Sequence, residues 1–207
     1  MWCFNRGTLM ADGTIVVGVY GVDQEGLQRP YALRSADRGR TWRLHDLCAH
    51  AAGVPASEAA ICETGPGRLT ALVRGESDPH DHRLLQLWSE DGGVTWSEPA
   101  RTGILGHPAH LMKLEDGRVL CTHGYRRHPM GVRALLSEDD GETWDTDNPV
   151  VLRDDGGGHS PHRGEGTGAG DVGYPFSIQL AESEVLTAYY ITPADNVTHS
   201  AATIWRP

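Results

Sequence analysis

Ser35-Ala-Asp37-Arg-Gly39-Arg-Thr41-Trp42, Ser89-Glu-Asp91-Gly-Gly93-Val-Thr95-Trp96 and Ser137-Glu-Asp139-Asp-Gly141-Glu-Thr143-Trp144 are three copies of one octapeptide, S-x-D-x-G-x-T-W. The step from Asp37 to Asp91 is 54 residues (91 − 37), and that from Asp91 to Asp139 is 48 (139 − 91). A period of about 50 residues is too long for a helical hairpin and suits a four-stranded propeller blade. The octapeptide has the chemistry of a hairpin tip: the aspartate accepts hydrogen bonds from turn N–H groups, and the glycine permits positive φ. The tryptophan supplies a large apolar plate for packing against a neighbouring sheet. All three roles are structural, so the octapeptides are expected to lie away from any ligand.

A second repeat precedes each octapeptide. Ala11-Asp-Gly-Thr-Ile-Val-Val-Gly-Val-Tyr20, Gly65-Pro-Gly-Arg-Leu-Thr-Ala-Leu-Val-Arg74 and Glu115-Asp-Gly-Arg-Val-Leu-Cys-Thr-His-Gly124 each join a glycine turn to a strand-like run; Ala181-Glu-Ser-Glu-Val-Leu-Thr-Ala-Tyr-Tyr190 is a degenerate fourth copy. Turns followed by alternating apolar residues predict hairpins. Within one partial domain, 1–207, the repeats are placed at roughly 1–48, 56–100, 106–152 and 172–207, with a Gly-rich loop at 154–172. The fourth lacks an octapeptide, so its outermost strand must come from elsewhere. Four blades are the low end for a closed propeller, which predicts that missing blades or a second subunit complete the ring.

Charge and composition narrow the function. Lys and Arg number 18 against 28 Asp and Glu, a formal net charge of −10 over 207 residues, which argues against nucleic acid or an anionic membrane as partner. No run approaches the roughly 18 to 20 apolar residues of a membrane span, and no signal-like segment appears, so the compartment is left open with cytoplasm as the default. Cys3, Cys48, Cys62 and Cys121 form no C-x-x-C pair and read as buried free thiols. His80, His82, His159 and His162 have no third and fourth ligand at a recognisable spacing, so no metal and no cofactor is expected.

Together, the octapeptides and turn-strand units resemble the sialidase (neuraminidase) superfamily, bacterial sialidase-like proteins with Asp-box (BNR) repeats, over almost the whole chain. The resemblance implies an all-β, six-bladed β-propeller of which about four blades are present. It also implies an exo-α-sialidase-like glycoside hydrolase that releases a terminal acidic sugar with retention. The stretch Glu58-Ala-Ala-Ile-Cys-Glu63-Thr-Gly-Pro-Gly-Arg-Leu-Thr-Ala-Leu-Val-Arg74 fits the family spacing of two glutamates and an arginine. By position, Glu58 inherits the activation of a tyrosine and Arg74 the grip on the substrate carboxylate. The segment Asp171-Val-Gly-Tyr174-Pro-Phe-Ser-Ile-Gln-Leu180 looks like the one bearing that tyrosine, which makes Tyr174 the nucleophile candidate.

A further clamp arginine is expected between these, at Arg126 or alternatively Arg133, in a stretch similar to a bacterial subgroup with a G-Y-R…G-x-R pattern. Arg6 is a candidate substrate contact, and Asp171 is either a site residue or a structural loop residue. His107 and His110 flank Pro108 and either line a pocket or pack. The first clamp arginine and the acid/base aspartate are expected in N-terminal blades that precede this chain.

An anionic sugar calls for guanidinium groups, whose planar forks make paired, charge-assisted bonds to a carboxylate. A neutral phenol attacks an anionic centre without adding a second negative charge, and a nearby glutamate can take its proton. Two other readings stay open: a propeller glycosidase for a different sugar, and a non-catalytic carbohydrate-binding propeller fragment.

Overall fold

Turn residues at short intervals and runs of Val, Leu, Ala and Thr between them leave nothing for a helix to use, and every regular element described is a strand. The computed structural model describes residues 1–3, 7–48, 55–76, 83–158 and 171–207. The chain divides into two compact units, Met1–Ile104 and Leu105–Pro207.

The first unit holds two antiparallel sheets. In one, β1 (Trp2–Cys3) and β2 (Thr8–Leu9) both pair with β3 (Ile15–Val22), and β4 (Gln28–Ser35) and β5 (Arg43–Asp46) follow in order. The other runs β6 (Ala56–Gly65), β7 (Arg68–Gly75), β8 (Arg83–Ser89), β9 (Ala100–Leu105). Burial falls along it: β6 is buried at eight of ten positions, whereas β9 is mostly open to solvent. Small side chains such as Ala56, Ala59 and Ala60 let β6 be covered on both faces. Across the sheets, Val16 packs with Ala59, Leu69, Leu87 and Trp96 in one core cluster. Leu87 is fully buried, and its truncation to alanine should cost about 3 kcal/mol.

The second unit repeats this plan with β10 (Ala109–Lys113), β11 (Val119–Tyr125), β12 (Met130–Ser137) and β13 (Val150–Gly156). Its other sheet has three strands among the described residues, β14 (Val172–Ala181), β15 (Glu184–Ile191) and β16 (His199–Trp205). The two share a buried polar seam. Ser177 Oγ lies 3.1 Å from Thr122 Oγ1 and 2.9 Å from Thr187 Oγ1, and Trp205 Nε1 donates to the same Thr187 hydroxyl. Each hydroxyl thus has a partner, which makes its burial affordable.

The three octapeptides fold alike. Asp37 Oδ1 accepts from the Thr41 N–H at 2.8 Å and Oδ2 from its hydroxyl at 2.6 Å; Asp91 and Asp139 repeat both bonds. The serine hydroxyl bonds the aspartate and accepts the glycine N–H. Both central residues have positive φ, Arg38 and Gly39, Gly92 and Gly93, Asp140 and Gly141, so only the second copy uses glycine twice. The tryptophans part company: Trp96 is buried against the preceding sheet, while Trp42, just before β5, is 40% exposed. The reading of four buried thiols is corrected likewise, because Cys3 lies on the exposed two-residue strand β1.

Candidate active site

Each octapeptide follows the strand end that pairs with the start of its neighbour, as in Leu69↔Ser89 and Val119↔Ser137. The candidate residues sit at the opposite end of the same sheets. In the β6–β9 and β10–β13 sheets, which carry both, antiparallel strands therefore separate a turn end from a site end.

In the first unit, the β6–β7 ladder slips between Ala56 and Ala59, leaving Ser57 and Glu58 in a β-bulge. The bulge turns Glu58 inward, where it is only 3% exposed. Its Oε2 lies 3.2 Å from Arg74 Nη1 on β7. Arg74 Nε also lies 2.8 Å from Glu76 Oε1, close as an ion pair but without the angle of a hydrogen bond. Glu76 in turn accepts the Ser57 hydroxyl at 2.6 Å. The result is one guanidinium between two carboxylates, with Arg74 a quarter open to solvent. Glu63, which the family spacing drew into the site, is at the turn end: its carboxylate accepts the N–H groups of Ala11 and Gly67 and ties the two sheets together.

The second unit contains a matching irregularity. The β14–β15 ladder slips between Gly173 and Phe176, so Tyr174 and Pro175 occupy a bulge at the start of β14, as Glu58 does at the start of β6. Proline is tolerated in a strand at such a place because its missing N–H leaves no ladder bond unmade. Tyr174 has φ 46°, a left-handed conformation that is an outlier for a bulky residue and costs roughly 1–3 kcal/mol. The ring is 38% exposed and stacks on Tyr190 with centroids 6.0 Å apart. Tyr190 donates its hydroxyl to Asp171 at 2.9 Å.

Arg126 is buried beneath this bulge. Its Nε donates to the Val172 carbonyl at 3.1 Å, and its Nη2 is 3.7 Å from Asp171 Oδ1. A Cβ added at Gly173 would approach that guanidinium to 3.1 Å, so glycine there keeps room for it. Arg133 lies elsewhere, its guanidinium carbon 3.9 Å above the Tyr125 ring. It also faces His123, which burial above all, and then Arg133, holds down to about 4, so this histidine is neutral near pH 7. His110 is packing: fully buried, its Nδ1 accepts the Ser177 N–H.

Arg6, His80, His82, His159 and His162 lie outside the described residues. Among the described residues no group of three or more His, Cys, Asp or Glu is placed to hold a metal ion. A cavity of about 550 Å³ opens at the turn end of the β12–β13 sheet, lined by Asp139, Thr143, Asp145 and Asn148; it holds none of the candidate arginines or tyrosines.

A BNR repeat-like domain matches residues 3–187. The chain belongs to that family. Of solved structures, a protein of unknown function from Dyadobacter fermentans is 30% identical over 98% of this BNR repeat-like chain and 52% of its own length, with a TM-score of 0.81. The NanB sialidase of Streptococcus pneumoniae is 16% identical over 97% of this chain and 30% of its own, TM-score 0.68. A xylan β-1,4-xylosidase from Bacillus halodurans is 12% identical over 99% and 39%, TM-score 0.63. The chain thus spans about half the length of the Dyadobacter protein and less of the two enzymes. No functionally curated protein matches. The fold of this BNR repeat-like chain is that of a sialidase-type β-propeller, with four blades present.

Sequence reasoning did not single out Glu76 or Tyr190 as parts of these clusters. Glu76 had a signal in its place two residues beyond Arg74, where alternation returns a side chain to the same face. Pro175 inside an apolar run was the signal for the second bulge.

Proposed function

We propose that this BNR repeat-like chain is part of an exo-acting glycoside hydrolase of sialidase type, which removes a terminal acidic sugar with retention. Tyr174 is the nucleophile, its phenol oxygen forming a bond to the anomeric carbon as the bond to the leaving oxygen breaks. Glu58 takes the phenolic proton. Arg74 pairs with the substrate carboxylate, with Arg133 and Arg6 as further contacts. Arg126 and Asp171 act at the base of the Tyr174 bulge, where a guanidinium and a carboxylate fix the Tyr190 ring on which Tyr174 stacks.

The observation that supports this reading most is the shared placement of Glu58 and Tyr174, each in a bulge at the start of the first strand of its sheet, with Tyr174 held at φ 46°. Strain of that kind persists where a side chain must be aimed. The test is hydrolysis of an aryl sialoside by the full-length protein and its Tyr174→Phe variant. Loss of turnover with unchanged folding supports the assignment, and unchanged turnover removes it.

A second reading, a glycosidase for a neutral sugar, draws on the arginines. Arg74, Arg126 and Arg133 each already contact a carboxylate or an aromatic ring within their own unit. An aryl xyloside assayed beside the aryl sialoside separates the two, since only the second reading expects the xyloside to be the better substrate.

A further inference from the structure

The exposed ring of Trp2 stacks on Tyr20, with centroids 5.3 Å apart and planes at 29°. Trp2 is 54% exposed, unusual for the largest apolar side chain, and Tyr20 beneath it is half-buried. The two are directly paired across β1 and β3, so they share one face of the sheet. That face is fixed by Gly18, two residues before Tyr20. A Cβ added at Gly18 would come within 2.1 Å of the Ala59 carbonyl oxygen, so β3 meets β6 there, beside the Glu58 bulge. Tyr20 accordingly feels the first unit's ionic cluster: burial first, then the Glu58 carboxylate, raises its phenol above the ordinary value, with Arg74 acting in the opposite direction.

An aromatic plate open to solvent therefore lies on the face of β3 that meets β6, the strand whose bulge holds Glu58 against Arg74. A pyranose has the complementary shape. Its C–H face is apolar and flat enough to lie on an indole, while its rim of hydroxyls both donates and accepts hydrogen bonds. In the same unit the Arg74 fork and the Glu76 carboxylate, each about a quarter open to solvent, offer donors and acceptors. We propose that Trp2, backed by Tyr20, is a stacking platform for a sugar ring of the glycan on which the protein acts, a binding residue in addition to the groups that do the chemistry. The proposal rests on the glycosidase reading for its ligand class but not on Tyr174 as nucleophile.

The experiment measures sugar affinity without turnover. The full-length protein carrying Tyr174→Phe is titrated calorimetrically with the best-bound member of a panel of sialyl and xylosyl oligosaccharides, and Trp2→Ala and Trp2→Phe are compared in that background. Trp2→Ala should weaken binding roughly tenfold or more, and Trp2→Phe should recover most of the loss. Circular dichroism confirms that each variant is folded, as expected for an exposed position. Binding unchanged by Trp2→Ala overturns the platform and leaves the glycosidase reading standing. If no panel member binds the parent protein, the glycosidase reading and the platform both fail.

Discussion

The turn end and the site end of these sheets obey different rules. At the turn end, three octapeptides spend the same serine, aspartate, glycine and threonine on the same bonds, and the aspartate carboxylate is satisfied within eight residues of chain. At the site end the bulge recurs but its contents do not: one bulge aims a carboxylate at an arginine, another aims a phenol outward over a second tyrosine. Local bonding that closes on itself can be copied from blade to blade. Side chains whose partners lie on other strands cannot, and there the family's chemistry is expected to reside.

The contrast breaks if turn-end variants damage activity or site-end variants damage only stability. The largest expected effect is at Tyr174. Its change to phenylalanine should lower turnover of an aryl glycoside by at least about a thousandfold, in keeping with loss of a covalent nucleophile, while the melting temperature stays put. Replacing Tyr174 with glycine should abolish activity as well, and relief of the φ 46° strain should offset the loss of ring stacking in the melting temperature.

Arg74→Ala comes next. It leaves Glu58 buried without its guanidinium and should destabilise the protein by about 3 kcal/mol in denaturant titration, whereas Glu58→Gln, which keeps a hydrogen-bonding oxygen and removes the charge, should cost less stability and about a hundredfold in rate. At the turn end, Asp91→Ala removes bonds from Ser89, Val94 and Thr95 and should cost about 2 kcal/mol with KM unchanged.

Acid should separate two groups by pH. Burial depresses His123 to about 4 from an ordinary 6.5, so the unfolded chain binds its proton first, and stability falls as pH drops from about 6.5 toward 4. A His123→Gln variant should lose that part of the pH dependence. In the octapeptides, Thr41 hydroxyl and N–H bonds hold Asp37 at about 2. For Asp139, burial pushes the other way and is outweighed by Thr143 and Ser137, with the same result of about 2. Their contribution is present above about pH 4 and is lost only between about 4 and 2. The smallest effect is expected at the left-handed positions, where Arg38→Gly or Asp140→Gly should raise stability by under about 1 kcal/mol, since the second copy already has Gly92 there.

The same division explains what could be read in the amino-acid order. The octapeptide is a short-range device, so Ser35, Asp37, Gly39 and Thr41 disclose its turn without reference to the rest of the chain. The bulges depend on register against a neighbouring strand, and no local residue states that Glu58 and Tyr174 leave the ladder; Pro175 is the one visible trace. Glu63 shows the opposite failure, for its spacing fits a site while its carboxylate is consumed by Ala11 and Gly67 N–H groups of two turns. The sequence favours Arg126 as a clamp with Arg133 as the alternative, and does not disclose that the first is buried against Asp171 and Val172 while the second lies on Tyr125, a difference made by packing.

The central claim is that a strained tyrosine in a bulge performs covalent chemistry on a sugar. It is tested most directly by incubating the full-length protein with a sialosyl fluoride carrying a second fluorine beside the anomeric centre, which slows release of a glycosyl-enzyme, and sequencing the labelled peptide by mass spectrometry. The account predicts sugar mass on the peptide containing Tyr174 and none in the Tyr174→Phe variant. Label on any other residue, or persistence of label in that variant, would contradict it.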